Sequence, residues 1–303
     1  MRVDPLYVTN LAGSLDQVQS SEQQLTAELS SGASVNSLSQ NPVAAGENVL
    51  LLNQIQQDDS FTTSSNLVTG QLQVADSALG SVVGELTQAV SLATSANNGT
   101  LNSSDVKSIA NQIAGIRDEV QSLANTSYQG QFIFAGGQTQ TSPFTTSTTG
   151  QPAVTSYSGD SDVNYLALPN GQSIQLNVPG NQIFLGSGTN SVFAALNALI
   201  TDYSSGSVNT QQAVSDTNAL GVALNYVSQQ RVTIDNSITQ IGAASGALTN
   251  EKTQLSAAQT DLMQADLGSV STQLSLAETQ QTALEDVIAQ LDSPTNSLFS
   301  KLQ

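Results

Sequence analysis

Residues 263–291 read MQADLGSVSTQLSLAETQQTALEDVIAQL. Met263, Leu267, Val270, Leu274, Ala277, Leu284, Ile288 and Leu291 follow one another at alternating steps of four and three, and Gln281 keeps the phase where an apolar residue is missing. This is the a/d pattern of a heptad seam, a stripe too narrow for a helix sunk in a broad globular core. A seam of this kind is covered by a matching one. The match stands at the other end of the chain: Val8, Leu11, Leu15, Val18, Leu25 and Leu29 repeat the same steps, with Glu22 as the single polar interruption. The pattern predicts that the two chain ends form one coiled unit and that the middle is carried on it.

Working inward, Gly32 stops the first helix and 30–40 is a small, polar loop. Asn41-Pro42 reads as an N-cap followed by proline at the first helical position. A long helical tract runs from there to about Ala96, with Gly70, Gly80 and Gly84 as places where it could break. Asn98-Gly99 marks a turn, Ser103 or Ser104 is placed to cap the next helix, and Val106, Ile109, Ile113, Ile116, Val120 and Leu123 give that helix its apolar face. Two helices joined so closely should lie antiparallel. From Phe132 the apolar spacing changes to period two, and Pro169-Asn170-Gly171 between alternating runs is a hairpin signal. A short helix at 191–199 follows. Thr210 then opens a last helical run reaching the C-terminal seam. Unbroken to Leu291 it would span on the order of 120 Å at about 1.5 Å per residue, with Gly221, Gly242 and Gly246 as candidate bends and Ser293-Pro294 as a break near its end.

Composition narrows the functions open to such a chain. Among its 303 residues the net charge is −18, with six Lys plus Arg. A chain this acidic cannot neutralise phosphates, so nucleic acid and anionic membrane surfaces are not expected partners. No run of about 18 apolar residues could span a bilayer. The opening Met-Arg-Val-Asp-Pro lacks the apolar core of a secretory signal, so no cleaved signal is expected. His and Cys are both absent. That removes the usual general base, the usual nucleophilic triads and the zinc ligand sets. No catalytic residue, cofactor site or metal site can be named, and the expectation is a protein that is not an enzyme. Asp160-x-Asp162-x-Asn164 starts like a calcium loop, but Tyr165 and Gly171 fill the positions that need glycine and glutamate; a solvated loop is the expected reading. Three Asn-x-Ser/Thr triplets, at Asn98, Asn102 and Asn125, are what chance gives in so polar a chain.

Several stretches together carry a resemblance. Met1-Arg2-Val3 opens the chain, Leu29-Ser30-Ser31-Gly32 ends the first helix and Asn41-Pro42-Val43-Ala44-Ala45 opens the second. Leu123-Ala124-Asn125 leads into Gly130-Gln131-Phe132-Ile133-Phe134-Ala135-Gly136, with Pro143-Phe144 shortly after. Over about 1–136 and 188–303 the chain resembles the flagellin superfamily, and within it the members at the hook-filament junction. It departs from them at Ala33, where a basic residue is usual, and at Gln40-Asn41, where aspartates are. The resemblance implies a structural subunit of the bacterial flagellum that couples hook and filament mechanically. It implies export through the flagellar type III channel without a cleaved signal. The implied partners are other copies of itself in a ring, a hook-side junction protein, flagellin and an export chaperone. Two other functions stay open: a flagellin-type filament subunit and a secreted coiled-coil adhesin.

The fold expected is mainly α: a long antiparallel helical bundle, a terminal coiled coil formed by both chain ends, and a small inserted β module. Its domains would be 1–40 with 262–303 as the terminal coiled coil, 41–131 with 189–261 as a helical rod, and 132–188 as an outward-facing β insert.

Overall fold

In the computed structural model the described residues are 5–35, 41–147, 154–168, 171, 173–186 and 191–292; for 5–8, 154 and 290–292 this means the backbone. Their helices are α1 (Pro5–Ser31), α2 (Pro42–Asn97), α3 (Ser103–Ala124), α4 (Val192–Ser204), α5 (Thr210–Met263) and α6 (Leu267–Asp292). The strands are β1 (Ser127–Tyr128), β2 (Gln131–Phe132), β3 (Phe144–Ser147), β4 (Val154–Tyr157), β5 (Tyr165–Ala167) and β6 (Ser173–Gln175), and Asn181–Leu185 forms a π-helical turn. The chain folds as two compact units: Met1–Asp59 with Thr249–Gln303, and Ser60–Leu248.

The second unit holds the large core. Leu79, Val82 and Leu86 of α2, Ile113 and Val120 of α3, Leu196 and Leu199 of α4, and Leu220 and Val227 of α5 are wholly shielded from solvent. Each such side chain contributes about 1.5–3 kcal/mol by leaving water. Within this unit α2 and α5 run antiparallel. Asn97 donates its amide to Thr217 Oγ1 at 3.0 Å, and Arg231 clasps both oxygens of Asp76 at 2.6 and 3.0 Å. None of the possible breaks at Gly70, Gly80 and Gly84 occurs, because α2 runs through all three. At Gly70 packing favours a small residue, since a Cβ there would lie 2.5 Å from the Tyr128 hydroxyl; at Gly80 a Cβ would make only ordinary contact, 3.5 Å from the Arg231 guanidinium.

Local chemistry sets the helix starts. Asn41 Oδ1 accepts from Ala44 N at 3.0 Å, so the expected cap before Pro42 is present. The cap of α3 is Asn102, whose Oδ1 accepts from Ser104 N and Asp105 N at 2.9 Å each; neither Ser103 nor Ser104 serves. An asparagine caps as well as a serine and stands one residue earlier. Ser191 Oγ caps α4 by accepting from Ala194 N.

The strands pair as three antiparallel two-stranded ladders: β1 with β2, β3 with β4 and β5 with β6. The β5–β6 pairing, Tyr165↔Gln175 to Ala167↔Ser173, is the hairpin that Asn170-Gly171 signals. Gln129 and Gly130 join β1 to β2 with φ of 51° and 80°, the turn handedness that suits a two-residue hairpin. Residues 138–186, inside the expected β insert and expected to hold few residues that could join the helical core, supply several. Phe134, Phe144, Ile174, Val178, Ile183 and Phe184 are buried in one cluster with α2, α3, α4 and α5. Phe144 lies 5.3 Å from Phe184 and 5.5 Å from Phe193 of α4, ring centre to ring centre. Asn125 bridges to the same residue, accepting from Phe144 N and donating to Phe144 O.

The acidic loop proves structural. Asp160 Oδ1 accepts from Gly137 N at 2.7 Å and from Asp162 N at 3.0 Å, which ties the loop to the Gly136-Gly137 turn. Gly136 has a φ of 67°, and a Cβ on it would overlap the Asp160 carboxylate. Tyr157 donates its hydroxyl toward Phe134 O and Asp160 O, and burial, followed by the Asp160 charge, pushes it up to about 12.

Candidate assembly surface

The terminal seams meet in the first unit, where α1 packs on α6. What joins them is a backbone clasp. Gly32 ends α1 with a φ of 68°, its N–H returning to Glu28 O at 2.8 Å. The next residues pair antiparallel with the chain after α5: Ser34 N donates to Met263 O at 2.7 Å and Ala265 N to Gly32 O at 2.9 Å. The chain therefore turns at Gln264–Asp266, and α6 starts afresh. Asp266 Oδ1 caps it, accepting from Gly268 N and Ser269 N at 3.0 and 3.2 Å.

This corrects the single long helix expected from Thr210. Its candidate bends, Gly221, Gly242 and Gly246, lie inside an uninterrupted α5, and the break falls at three residues without glycine. Asp266, a strong N-cap type just before an apolar-periodic run, was the signal for it.

The seam residues are placed unequally. Leu25 and Val270 are buried with Ala265 and Ala277, and Val18 and Leu274 pack against them. Leu11, Leu15, Met263, Leu284 and Ile288 are half-buried. Leu29 is 38% exposed and Leu267, just after the break, 48% exposed, so neither sits in the intramolecular seam. The side chains of Val8 and Leu291 lie outside the described residues, as do Met1-Arg2-Val3 and Ser293-Pro294.

Other apolar side chains of this unit, outside the seam, face solvent: Val43, Val49 and Leu50 on α2, and Leu276 and Val287 on α6. Leu50 and Leu51, with Glu47 and Gln54, line an apolar groove of 420 Å³ closed on its other side by Ala258 and Leu262 of α5. Two polar links flank it, Gln259 to Asn48 at 2.8 Å and Lys252 to Asp59 at 2.5 Å. Chemically this is a surface for burying apolar area against another helix. No group of three or more metal-ligating side chains is found among the described residues, and no described helix is long and apolar enough to cross a membrane.

Comparison with known proteins bears on this surface. Residues 7–139 match the family model for the bacterial flagellin N-terminal helical region. Over 146 residues the chain is 32% identical to flagellar hook-associated protein 3 of Salmonella typhimurium, covering 48% of this chain and 46% of that protein. The chain thus spans about half the length of the curated relatives it matches. A solved structure from Vibrio parahaemolyticus, assigned as a flagellar hook-associated protein, has a TM-score of 0.66 at 22% identity, covering 74% of this chain and 100% of that one. Flagellar hook-associated protein 3 of Legionella pneumophila has a TM-score of 0.61 at 14% identity, covering 70% and 98%. At such identities these two structures speak for the fold.

Proposed function

We propose that this chain, a flagellin-superfamily protein of the hook-associated-protein-3 type, is a structural subunit of the bacterial flagellum that joins hook to filament. Its role is mechanical coupling without catalysis. The observation that carries this reading is the 32% identity over 146 residues to a hook-associated protein 3, beside the match of residues 7–139 to the flagellin N-terminal model. The geometry of the first unit supports it. A two-helix seam in which most leucines, Leu25 apart, are half-covered or exposed is what a subunit needs if its neighbours complete the core. On this reading Leu11, Leu15, Val18, Leu25, Val270, Leu274, Leu284 and Ile288 form the assembly seam, with Leu29, Leu267 and the groove at Leu50 on the faces that copies of the chain cover in a ring. The 132–188 insert faces outward. Hook-side junction protein and flagellin lie on either side of the ring, and a chaperone escorts the unfolded chain through the type III channel without signal cleavage.

The test separates a junction from a filament subunit. A junction must match two different neighbours and stop, whereas a filament subunit complements itself and grows. Purified protein mixed with filament seeds should remain monomeric or form small species. Cells lacking the gene should keep their hooks and release flagellin. Long filaments of this chain alone, seen by electron microscopy, would assign it to the filament instead.

A further inference from the structure

The break between α5 and α6 is not forced by the residues in it. Gln264, Ala265 and Leu267 are good helix formers, and no proline stands between 180 and 293. What holds the chain out of the helix comes from the other strand of the clasp. Ser34 N–H donates to Met263 O at 2.7 Å, and Gly32 O accepts from Ala265 N at 2.9 Å. The Ser34 hydroxyl donates between two carbonyls, lying 3.2 Å from Met263 O and 3.4 Å from Leu262 O. Asp266 Oδ1 takes Gly268 N and Ser269 N.

These are the groups that a continuous helix would bond within itself. There Ala265 N–H would donate to Asp261 O, and the Leu262 and Met263 carbonyls would accept from Asp266 and Leu267. Gly268 and Ser269 would donate to the Gln264 and Ala265 carbonyls. Each partner lost by breaking the helix is replaced by one from the clasp or the cap, so hydrogen bonding favours neither arrangement strongly.

We propose that 264–266 is a two-position joint: broken while Gly32 and Ser34 hold it, and helical, joining α5 to α6, once they let go. The seam survives the change. Val18 and Leu25 meet Val270, Leu274 and Ala277, all beyond the break, and Met263 and Leu267 keep the heptad phase through it. Ala265 is the side chain that changes place. It is 4% exposed and clustered with Leu25 and Val270. In a continuous helix it would stand two residues from both Met263 and Leu267, on the side away from the seam. Its burial, the Asp266 cap and the poor helix propensity of Gly268 keep the free chain broken. An alanine buries little area, so the preference is a small one and the clasp decides it. Ser34 is thus the positioning residue that sets where the terminal coil leaves α5.

Carbon-13 shifts of Ala265 and Asp266 in the full chain read the backbone at the joint. Wild type should give extended values. Ser34→Pro, which has neither N–H nor hydroxyl to donate, should give helical values at both residues. Ser34→Ala, which loses the hydroxyl alone, should move both part of the way. A lock supplies the converse. Residues 33 and 264 face each other across the bridge, a pairing that sets Cα atoms about 4.5 Å apart, within disulfide reach. The chain has no cysteine of its own. Ala33→Cys with Gln264→Cys, oxidised in the Ser34→Pro background, should return extended values, and reduction should release them to helical ones. Extended or random-coil values at Ala265 and Asp266 in reduced Ser34→Pro, or shifts in Ser34→Ala that stay still or move toward random coil, would overturn the proposal.

Discussion

In the second unit Leu79, Leu86, Ile113, Leu199 and Val227 come from four helices, and each is wholly shielded. In the first unit the same residue types are left partly open: Leu25 is 8% exposed, Leu29 38% and Leu50 69%. The contrast is one of layers. A helix packed against several others and capped by aromatic loops can bury a wide stripe, whereas two helices packed on each other bury only the line where they touch. The second unit therefore carries what it needs to fold within one chain. The first carries apolar area that, on the proposed function, neighbouring copies would cover. Burial is only modestly worth keeping in the first unit until something covers the remainder.

The largest expected effect comes from the insert. Replacing 138–186 by a short Gly/Ser linker removes Phe144, Ile174, Val178, Ile183 and Phe184 from the second unit's core. At about 2 kcal/mol each this approaches the whole stability of an ordinary domain, about 5–15 kcal/mol. The cooperative melting transition of the second unit should vanish. A sharp transition within a few degrees of wild type would show that the helices of this unit suffice alone.

A smaller effect is expected at Gly180. A Cβ there would stand 2.7 Å from the Phe144 ring and 2.8 Å from Phe134 O. Gly180→Ala should cost about 1–3 kcal/mol through forced repacking, seen as a lower urea midpoint for the second unit with the first unit's signal unchanged.

The smallest effects sharpen the comparison, because they place the same chemistry in both units. Asn102 caps α3 and Asp266 caps α6, each accepting from two backbone N–H groups. Replacing either by Ala should cost about 1 kcal/mol. For Asn102→Ala the loss should appear as a shifted global transition. For Asp266→Ala it should appear as reduced helix content at low temperature, because α6 has little core to hold it. Equal shifts of one shared transition would mean that the two units are equally cooperative.

Much of this contrast can be read in the sequence, but not its joints. The heptad steps at Val18, Leu25, Val270 and Leu274 name residues that do meet. The break at Gln264–Asp266 escapes such reading because Met263 and Leu267 are four apart and so keep the phase across it; periodicity records faces, not continuity. Gly70 and Gly80 mislead for the opposite reason. A glycine in a helix suggests weakness, whereas α2 runs through both, and at Gly70 the missing Cβ makes room for Tyr128 from elsewhere in the chain. The insert hides its role because Phe144, Ile183 and Phe184 stand in short, aperiodic segments that reach the core only through long-range packing. The open face at Val43, Val49 and Leu50 is also invisible in a pattern, since an apolar residue looks the same whether the chain or a neighbour covers it.

Amide hydrogen exchange of the verified monomer, repeated on the assembled flagellum, tests most directly whether the first unit waits for neighbours. The account predicts that in the monomer Leu79, Ile113 and Val227 exchange slowly while Leu15, Leu25, Leu274 and Leu284 exchange faster by orders of magnitude. It predicts that the second group becomes slow on assembly. Equal, strong protection of both groups in the monomer would contradict it.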